Sequence, residues 1–215
     1  MKKAALLISI LWFSVIHLPA NTTREIGAKP YYSTDRIIKL VTLYINIERI
    51  NSGRPFLLIN KKMKLAAQWH SDYMAEAENI AHFADKKGMH DVRERIISFG
   101  ESIERYAELL GFSFCTNAEG LAYTMKEKDG EEYADFGKAD VYWLSETGIA
   151  MSIMRSILKD GRFRYYMLNE SLNSIGGGVT PGKKNGLDSW YASFAIAERR
   201  GLAKLVLKAE FKKEI

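Results

Sequence analysis

Apolar residues recur at helical spacing in the first half of this chain and alternate with polar residues near its end. The first helical pattern comprises Ile37, Ile38, Val41, Tyr44, Ile45 and Ile50. A second apolar face, with Asn60 as the helix cap before it, predicts a helix over 60–81. Residues 175–180 and 190–197 predict two strands joined by a Gly- and Lys-rich loop. Helices that cluster early and strands that follow later favour an α+β fold over a parallel βαβ sheet.

The middle of the chain has weaker patterns. Residues 91–99 predict a short helix, and 106–123 reads as an irregular approach followed by a strand. The polar stretch 126–138 carries an Asp129-Gly130 turn signal, so we predict a hairpin or a surface insertion there. A further helix is predicted to begin near Thr147 and to end at Asp160-Gly161.

Composition excludes several classes of protein. The chain has 215 residues, 47% of them hydrophobic, which is typical of a globular domain. The single cysteine, Cys115, excludes an intramolecular disulfide and a cysteine-based zinc cluster. The formal net charge is +5, but the basic residues form no block with base-reading side chains beside it. Nucleic acid is therefore not an expected partner.

The first residues resemble an export signal. Lys2 and Lys3 precede the apolar run 4–16, which is followed by a proline and then by Ala20. The run is shorter than the ~20 residues of a membrane span. We expect cleavage after Ala20 and a protein that is secreted, periplasmic or held at the cell envelope; an uncleaved amphipathic anchor is the alternative. The predicted organisation is a signal peptide 1–20, a polar leader 21–34, a domain 35–200 and a C-terminal extension 201–215.

Several loose motifs appear in an order that resembles one family. In chain order they read NKKMKLAAQWHSDYMAEAENIAHF, NAEGLAY, ILKDGRFRYYMLNESLNSIGGGV and WYASFAIA. This order resembles the CAP superfamily, also called SCP-like extracellular domains, in its short bacterial form. The resemblance covers about residues 36–197.

The resemblance implies a three-layer α-β-α sandwich with a central antiparallel sheet. It also implies a cleft where two histidines and one or two acids converge, and which binds a divalent metal such as zinc in some members. His82 matches the family's first cleft histidine, and Arg93 matches a following, structural arginine. Glu119 matches the acid of a Gly-Glu-Asn motif, with Gly120 at the Asn position.

One departure from the family pattern decides the interpretation. The alignment places Phe163 where the second cleft histidine normally lies, and Ile157 at a family tryptophan. A phenyl ring neither ligates a metal nor carries a proton. We therefore predict a degenerate site in a binding cleft formed by His82, Glu119 and Phe163, with no confirmed catalytic residue.

Three interpretations of this cleft stay open. His82 and Glu119 could form an acid/base pair, since a carboxylate orients an imidazole and raises its basicity. They could instead be the remnant of a zinc site with His82 as ligand, helped by His90, although a catalytic zinc usually takes three protein ligands. The third interpretation is a structural hydrogen bond beneath the cleft.

Other residues have an ordinary explanation beside a functional one. His70 is expected to pack on a helix face, and Cys115 to be a small buried residue rather than a nucleophile paired with His82. The glycines 176–178 are expected to allow close packing or a bulge. Four aromatic residues are expected in core or rim packing, or as a stacking platform for a sugar or lipid: Tyr165, Tyr166, Tyr191 and Trp190.

The sequence thus favours an exported, non-catalytic binding or interaction module, with no cofactor expected beyond weakly bound zinc. Its partner would be a lipid, a cell-wall glycan or a protein. The alternative is a metal-assisted hydrolase that uses His82 and Glu119. A structural protein of the cell envelope with a vestigial cleft is the third reading. The role of the 126–140 insertion stays open.

Overall fold

The computed structural model describes residues 23–24, 28–119, 123–128, 131–136 and 140–199, with side chains described over 28–116 and 142–199. The helices of this part of the chain are α1 (Thr34–Asn51), α2 (Lys61–Glu76), α3 (Val92–Ser98), α4 (Glu146–Lys159) and α5 (Gly161–Met167). Its strands are β1 (Thr23–Arg24), β2 (Leu58–Ile59), β3 (Ile103–Phe114), β4 (Thr116–Glu119), β5 (Tyr123–Lys128), β6 (Glu131–Phe136), β7 (Asp140–Leu144), β8 (Ser174–Lys184) and β9 (Leu187–Arg199).

Short polar side chains set the starts of the helices. The side chain of Asn60 accepts hydrogen bonds from the first-turn backbone N–H groups of α2, as the sequence predicted. Ser33 and Asp91 cap α1 and α3 in the same way. Helix α2 ends at Glu76, five residues before the predicted end, and Glu78 then takes a positive φ of 49°.

The central sheet has the strand order β2-β8-β9-β3. Strands β8, β9 and β3 are antiparallel, which confirms the predicted arrangement, whereas the two-residue β2 pairs with β8 in parallel. A second sheet has the order β1-β7-β4, and β5 pairs with β6 alone. The β5–β6 pair confirms a hairpin in the insertion between β4 and β7.

Three consecutive glycines in β8 show how the layers fit together. A Cβ on Gly176 or Gly178 would overlap the backbone of α2. A Cβ on Gly177, which points to the opposite face, would meet Phe194 and the Ile38 side chain of α1. Helices α1 and α2 therefore lie on opposite faces of the sheet, and the fold is a three-layer α-β-α sandwich. Close packing was the predicted reason for these glycines.

Each face of the sheet has its own apolar core. The larger cluster unites α1, α4 and α5 with the sheet and includes Phe194 and Trp190. The smaller cluster lies under α2 and α3. Its buried members are Met63, Ala66, Ala67, Val92, Ile96, Ile103, Ala195 and Ala197. Because these side chains are mostly small, α2 and α3 approach the sheet closely, and polar groups of both helices come near β3.

The main error of the sequence analysis concerns β3. It begins at Ile103, well before the strand expected in 106–123, and it pairs with β9 over most of its length after a register shift between Ile103 and Tyr106. Its first half contains Glu104, Arg105 and Glu108. These charged residues interrupt the alternation of apolar and polar residues by which a strand is predicted. Helix α5, capped by the Asp160 side chain, is a separate helix that the sequence analysis did not distinguish.

Several predictions concern residues outside the described part of the chain. They include the signal peptide 1–20, the extension 201–215, Gly120 and the Asp129-Gly130 turn. Among the helices of the described residues, none combines the length and apolar character needed to cross a bilayer.

Candidate functional site

A charged side chain lies buried at the edge of the central sheet. Glu108, in β3, points towards α2 and α3 and has a side-chain exposure of only 3%. Its Oε1 accepts hydrogen bonds from Arg95 Nη2 at 2.7 Å and from Ser193 Oγ at 2.9 Å. Its Oε2 accepts one from His82 Nδ1 at 3.1 Å. We refer to Glu108, Arg95, Ser193, His82 and the adjacent His70 as the Glu108 cluster.

Arg95 joins this carboxylate to the loop that precedes α3. Besides Glu108, its guanidinium donates to the backbone carbonyls of His82, Met89 and His90 at 3.1 to 3.3 Å. The side chain is buried. A planar guanidinium suits this position because its five N–H donors serve a carboxylate and several carbonyls at once. Arg95 thereby fixes the loop that carries His82.

His70, from α2, is the remaining member of the cluster. Its Nε2 lies 2.7 Å from the carbonyl oxygen of Ala81, so this nitrogen carries the proton and donates. The same nitrogen is 3.8 Å from Glu108 Oε1. His70 Nδ1 is buried without a hydrogen-bond partner among the described residues. Burial lowers the pKa of His70, and the charge of Arg95 adds to this effect against the opposing pull of Glu108. The ring is therefore neutral at neutral pH.

The carboxylate of Glu108 is ionised despite its burial. Burial alone would raise its pKa, but the hydrogen bond from His82 and the neighbouring positive charge of Arg95 outweigh that effect. The net result is a pKa below the ordinary value. The negative charge is thus compensated within the cluster.

His82 is the member of the cluster that reaches the surface, with 42% of its side chain exposed. Since Nδ1–H donates to Glu108, Nε2 is the nitrogen left to accept a hydrogen bond. The ring of Phe163, from α5, meets the imidazole edge to face, with centroids 5.5 Å apart and planes at 79°. The structure therefore brings together two of the three predicted cleft residues, His82 and Phe163.

The carboxylate beside His82 is Glu108, which the sequence analysis missed. Glu119 lies in β4, opposite Asp140 of β7, and belongs to the second sheet. Its side chain is outside the described residues, so its predicted role stays a prediction. One sequence signal pointed to Glu108: it is a lone acid directly before the apolar pair Leu109-Leu110, where a buried charge needs a partner.

A different arginine from the predicted one has the structural role. Arg93 is exposed on α3, whereas Arg95, two residues later, is buried and contacts Glu108. The choice of Arg93 was therefore wrong. Positions two residues apart on a helix point in different directions, and Arg95 lies one turn after Asp91 on the face that carries Val92 and Ile96 into the core.

The described residues do not fit a zinc ion. No group of three or more His, Cys, Asp or Glu side chains is placed to hold a metal in the part of the chain whose side chains are described. In the Glu108 cluster, His82 Nδ1 and both Glu108 oxygens are already engaged in hydrogen bonds. Phe163 adds a ring without a donor atom to this site. Three protein ligands, the usual set of a catalytic zinc, are thus not available among these groups.

The remaining polar candidates have structural roles. His90 Nδ1 lies 2.9 Å from the Ala84 carbonyl oxygen, and its ring stacks on Phe83. Cys115 is buried, and burial raises the pKa of its thiol to about 11, which leaves no thiolate at neutral pH. This environment is that of the small buried residue expected from the sequence.

The aromatic candidates separate into two groups. Trp190 and Tyr191 are buried in the larger core, which confirms the core-packing interpretation for this pair. Tyr165 and Tyr166, on α5 next to Phe163, are exposed and contact each other edge to face. Only the second pair is available to a ligand.

Comparison with known proteins identifies the fold. No protein-family model matches the sequence, and the curated proteins contain no match. Among solved structures, the chain is similar to an outer surface protein from Borrelia burgdorferi, with 15% identity, a TM-score of 0.51, and coverage of 81% of this chain and 100% of that chain. It is also similar to an extracellular protein containing an SCP domain from Bacillus anthracis, with 12% identity and a TM-score of 0.51.

The second similarity covers 81% of this chain but 46% of the Bacillus chain, so the present chain spans about half the length of that protein. At such low identities the comparisons concern the fold alone. The fold is similar to that of an SCP-domain protein, as the order of the sequence motifs implied.

Proposed function

We propose that this protein is an exported binding or interaction module in which the cleft of the CAP fold serves recognition and not metal-dependent catalysis. The observation that carries the proposal is the pairing of His82 with Phe163. An aromatic ring lies against the imidazole at the position where the family resemblance expects a second histidine. The buried Phe163 ring packs against the imidazole and has no atom that could ligate a metal.

The hydrogen bonds of Glu108 support the same proposal. A carboxylate that activates water or binds zinc must be reachable from solvent, whereas the Glu108 side chain is only 3% exposed and both of its oxygens accept hydrogen bonds from protein groups. Arg95 and Ser193 hold Oε1 from the buried side. Glu108 therefore orients His82 and leaves a single imidazole nitrogen for a ligand.

Export is supported by two observations. The first 20 residues have the pattern of a signal peptide. The two structural neighbours are described as an outer surface protein and as an extracellular protein. The proposed place of action is therefore the cell envelope or the medium outside the cell.

Zinc titration of the purified protein by calorimetry tests the proposal. We expect no stoichiometric binding to the wild type. The variant Phe163→His should gain measurable affinity because it adds a second imidazole beside His82, and His90→Ala is the control for a loop histidine outside the Glu108 cluster. Stoichiometric zinc in the wild type, lost in both His82→Ala and Glu119→Ala, would contradict the proposal and support the metal-assisted hydrolase.

A further inference from the structure

The outer edge of the central sheet is apolar. Strand β2 is the edge strand, and among the described residues no further strand pairs with it on its outer side. Within β2, Ile59 is 67% exposed and Leu58 40%, and Phe56, just before the strand, is 58% exposed. Proteins usually cover or charge such an edge, because an exposed apolar edge strand pairs with other chains and promotes aggregation.

Helix α1 extends this apolar edge. Asn46 Nδ2 donates to the carbonyl of Leu57 at 3.2 Å, and Asn46 Oδ1 accepts from the backbone N–H of Leu57 at 2.7 Å. These two hydrogen bonds place α1 directly beside the start of β2. Leu43 and Ile50, about one turn before and one turn after Asn46, share its side of α1 and are 52% and 59% exposed.

The contacts of α1 fix its direction relative to the sheet. Arg49, near the end of α1, donates to the carbonyl of Leu172, just before β8. Ile38, near the start of α1, lies against Gly177 inside β8. Helix α1 therefore runs antiparallel to β8. Because β2 is parallel to β8, α1 is antiparallel to β2 as well.

This direction places Ile59 beside Leu43. Leu57 is buried in the core on the α1 side of the sheet, and Ile59, two residues later, leaves the chain on the same side. Two strand residues advance about 6.6 Å, close to one helical turn of about 5.4 Å. Since Asn46 is level with Leu57, the α1 residue level with Ile59 is one turn earlier, at Leu43. We call Leu43, Ile50 and Ile59 the edge patch.

The chain leaves the described residues next to the edge patch. Arg199 N–H, at the end of β9, donates to Asn173 Oδ1 at 3.1 Å, and Leu58 N–H donates to the Asn173 carbonyl at 2.9 Å. Asn173 thus links the last described residue to β2. The three steps from Arg199 to Leu202 span up to about 10 Å, and β2 lies two strand spacings, about 9.6 Å, from β9. Residues from 202 onwards can therefore reach the outer side of β2.

The other segments outside the described residues begin at the opposite end of the sheet. Those before β1 and between β4 and β7 adjoin the second sheet. Cys115 joins that sheet to the start of β9, since its carbonyl accepts from Leu144 N–H and its N–H donates to the Asp188 carbonyl. Asp188 and Arg199 are eleven residues apart in β9, about 36 Å.

The sequence of residues 202–211 suits an apolar surface. It reads LAKLVLKAEF, in which seven of ten residues are apolar. Helical spacing would put Leu202, Leu205 and Val206 on one face, and strand alternation would put Leu205 with its odd-numbered neighbours. Leu205 belongs to the apolar face in both patterns, and Lys204 lies opposite it in both.

We propose that residues 202–211 lie on the edge patch and cover the outer edge of β2. Removing the exposed Leu43, Ile50 and Ile59 from water stabilises this arrangement. The short connection from Arg199 raises the effective concentration of the segment at the patch above that of any separate chain. The inference is independent of the proposed binding function, because Glu108 lies in β3, at the other edge of the sheet.

Hydrogen-exchange mass spectrometry of the full chain tests the proposal. We expect the amides of 202–211 to exchange about tenfold or more slowly than those of the urea-unfolded chain. Ile59→Asp and Leu43→Asp should each abolish this protection, because they place a charge on the patch, and the exposure of both sites lets the fold tolerate them. Leu205→Asp should abolish it too, whereas the matched control Lys204→Asp should retain it.

A reciprocal measurement reports on the patch itself. Leu205→Asp should raise the hydroxyl-radical oxidation of Leu43 and Ile59 several-fold, whereas Lys204→Asp should leave it unchanged. Because both substitutions lie outside the described domain, this comparison stays decisive if a patch variant fails to fold.

Three results would overturn the proposal. The first is free-chain exchange of 202–211 in the wild type, and the second is protection that persists in both folded patch variants or oxidation of the patch that Leu205→Asp leaves unchanged. The third is protection that rises with protein concentration together with a dimer mass by light scattering, which would assign the patch to a second copy of the chain. The zinc titration probes the opposite edge of the sheet, so its outcome judges the proposed function separately.

Discussion

Two buried arginines, Arg95 and Arg49, differ in the groups that compensate their charge. Their exposures are 1% and 0%. Arg95 meets the carboxylate of Glu108 under the surface that carries His82. Arg49, near the end of α1, contacts no described carboxylate and donates to backbone carbonyls. Burial of a charge is costly in both places, so each site shows a different way of compensating it.

Arg49 is satisfied by carbonyl oxygens alone. Its Nε donates to Pro55 at 2.7 Å, and its terminal nitrogens donate to Met167, Asn169 and Leu172 at 2.5 to 3.0 Å. These last three residues form the end of α5 and the connection to β8. Arg49 therefore fastens α5, and with it Phe163, to α1. The comparison indicates that Arg95 belongs to a titratable site and Arg49 to the scaffold behind it.

The largest effect is expected from Arg95→Met. Removing one partner of a buried ion pair leaves the other charge uncompensated, so the free energy of unfolding should fall by about 3–5 kcal/mol. Urea unfolding followed by tryptophan fluorescence measures the loss. The double variant Arg95→Met/Glu108→Gln should recover a substantial part, because the orphaned charge is gone. An equal loss in the single and double variants would show that Arg95 acts only through the loop carbonyls.

Arg49→Met should have the next largest effect. Each buried carbonyl left without a donor costs about 1–3 kcal/mol, but water can reach some of those near the connector, so we expect a total of about 2–3 kcal/mol. Because no acidic partner is involved, removing a carboxylate should not rescue this variant.

The loss in Arg49→Met should also be local. Backbone amides around 167–173 should exchange hydrogen faster than those of β3, and hydrogen-exchange mass spectrometry measures the difference. Uniformly faster exchange over both regions would contradict the assigned role of Arg49 in holding α5.

The sequence predicted those parts of the fold that depend on local pattern. The Asn60 cap, the amphipathic helix starting near Thr147 and the glycines of β8 are local signals, and each has the predicted role. The three-layer sandwich was implied by the family resemblance, which rests on the order of such signals. Their common property is that neighbouring residues contain all the necessary information.

The contacts of Glu108 and Arg49 could not be read from the sequence in the same way. Glu108 meets Ser193 across 85 residues, and Arg49 meets Leu172 across 123. A single charged residue in an apolar strand indicates that the charge needs a partner once it is buried. Which residue is the partner depends on the tertiary fold. For the same reason the sequence placed Phe163 beside His82 only through the family resemblance.

The two arginine sites should also differ in their response to pH. His70, beside Arg95, has a lowered pKa in the folded state, whereas Arg49 lies among carbonyls that do not titrate. As pH falls below about 6.5, the unfolded chain binds a proton on His70 before the folded protein does. Stability should therefore fall, by at most about 1.4 kcal/mol per pH unit for this group.

Urea unfolding at a series of pH values between 7 and 5 measures this slope. His70→Gln keeps a donor for the Ala81 carbonyl and should flatten it, while Arg49→Met should leave it unchanged. Glu108, whose folded pKa is lowered, adds a further loss of stability only at lower pH, as pH falls through that value. If His70→Gln retains the full slope above pH 5, the pH response arises elsewhere.

The smallest effect is expected from Arg54→Ala, which separates an exposed arginine from the two buried ones. Arg54 Nη1 contacts Glu170 at 2.5 Å, in the same region as Arg49, but 40% of its side chain and 75% of that of Glu170 are exposed. Water and salt screen such a pair, so its loss should cost no more than about 1 kcal/mol and should shrink further at high salt. A loss as large as that of Arg49→Met, insensitive to salt, would mean that the connection after α5 depends on charge pairing and not on carbonyl hydrogen bonds.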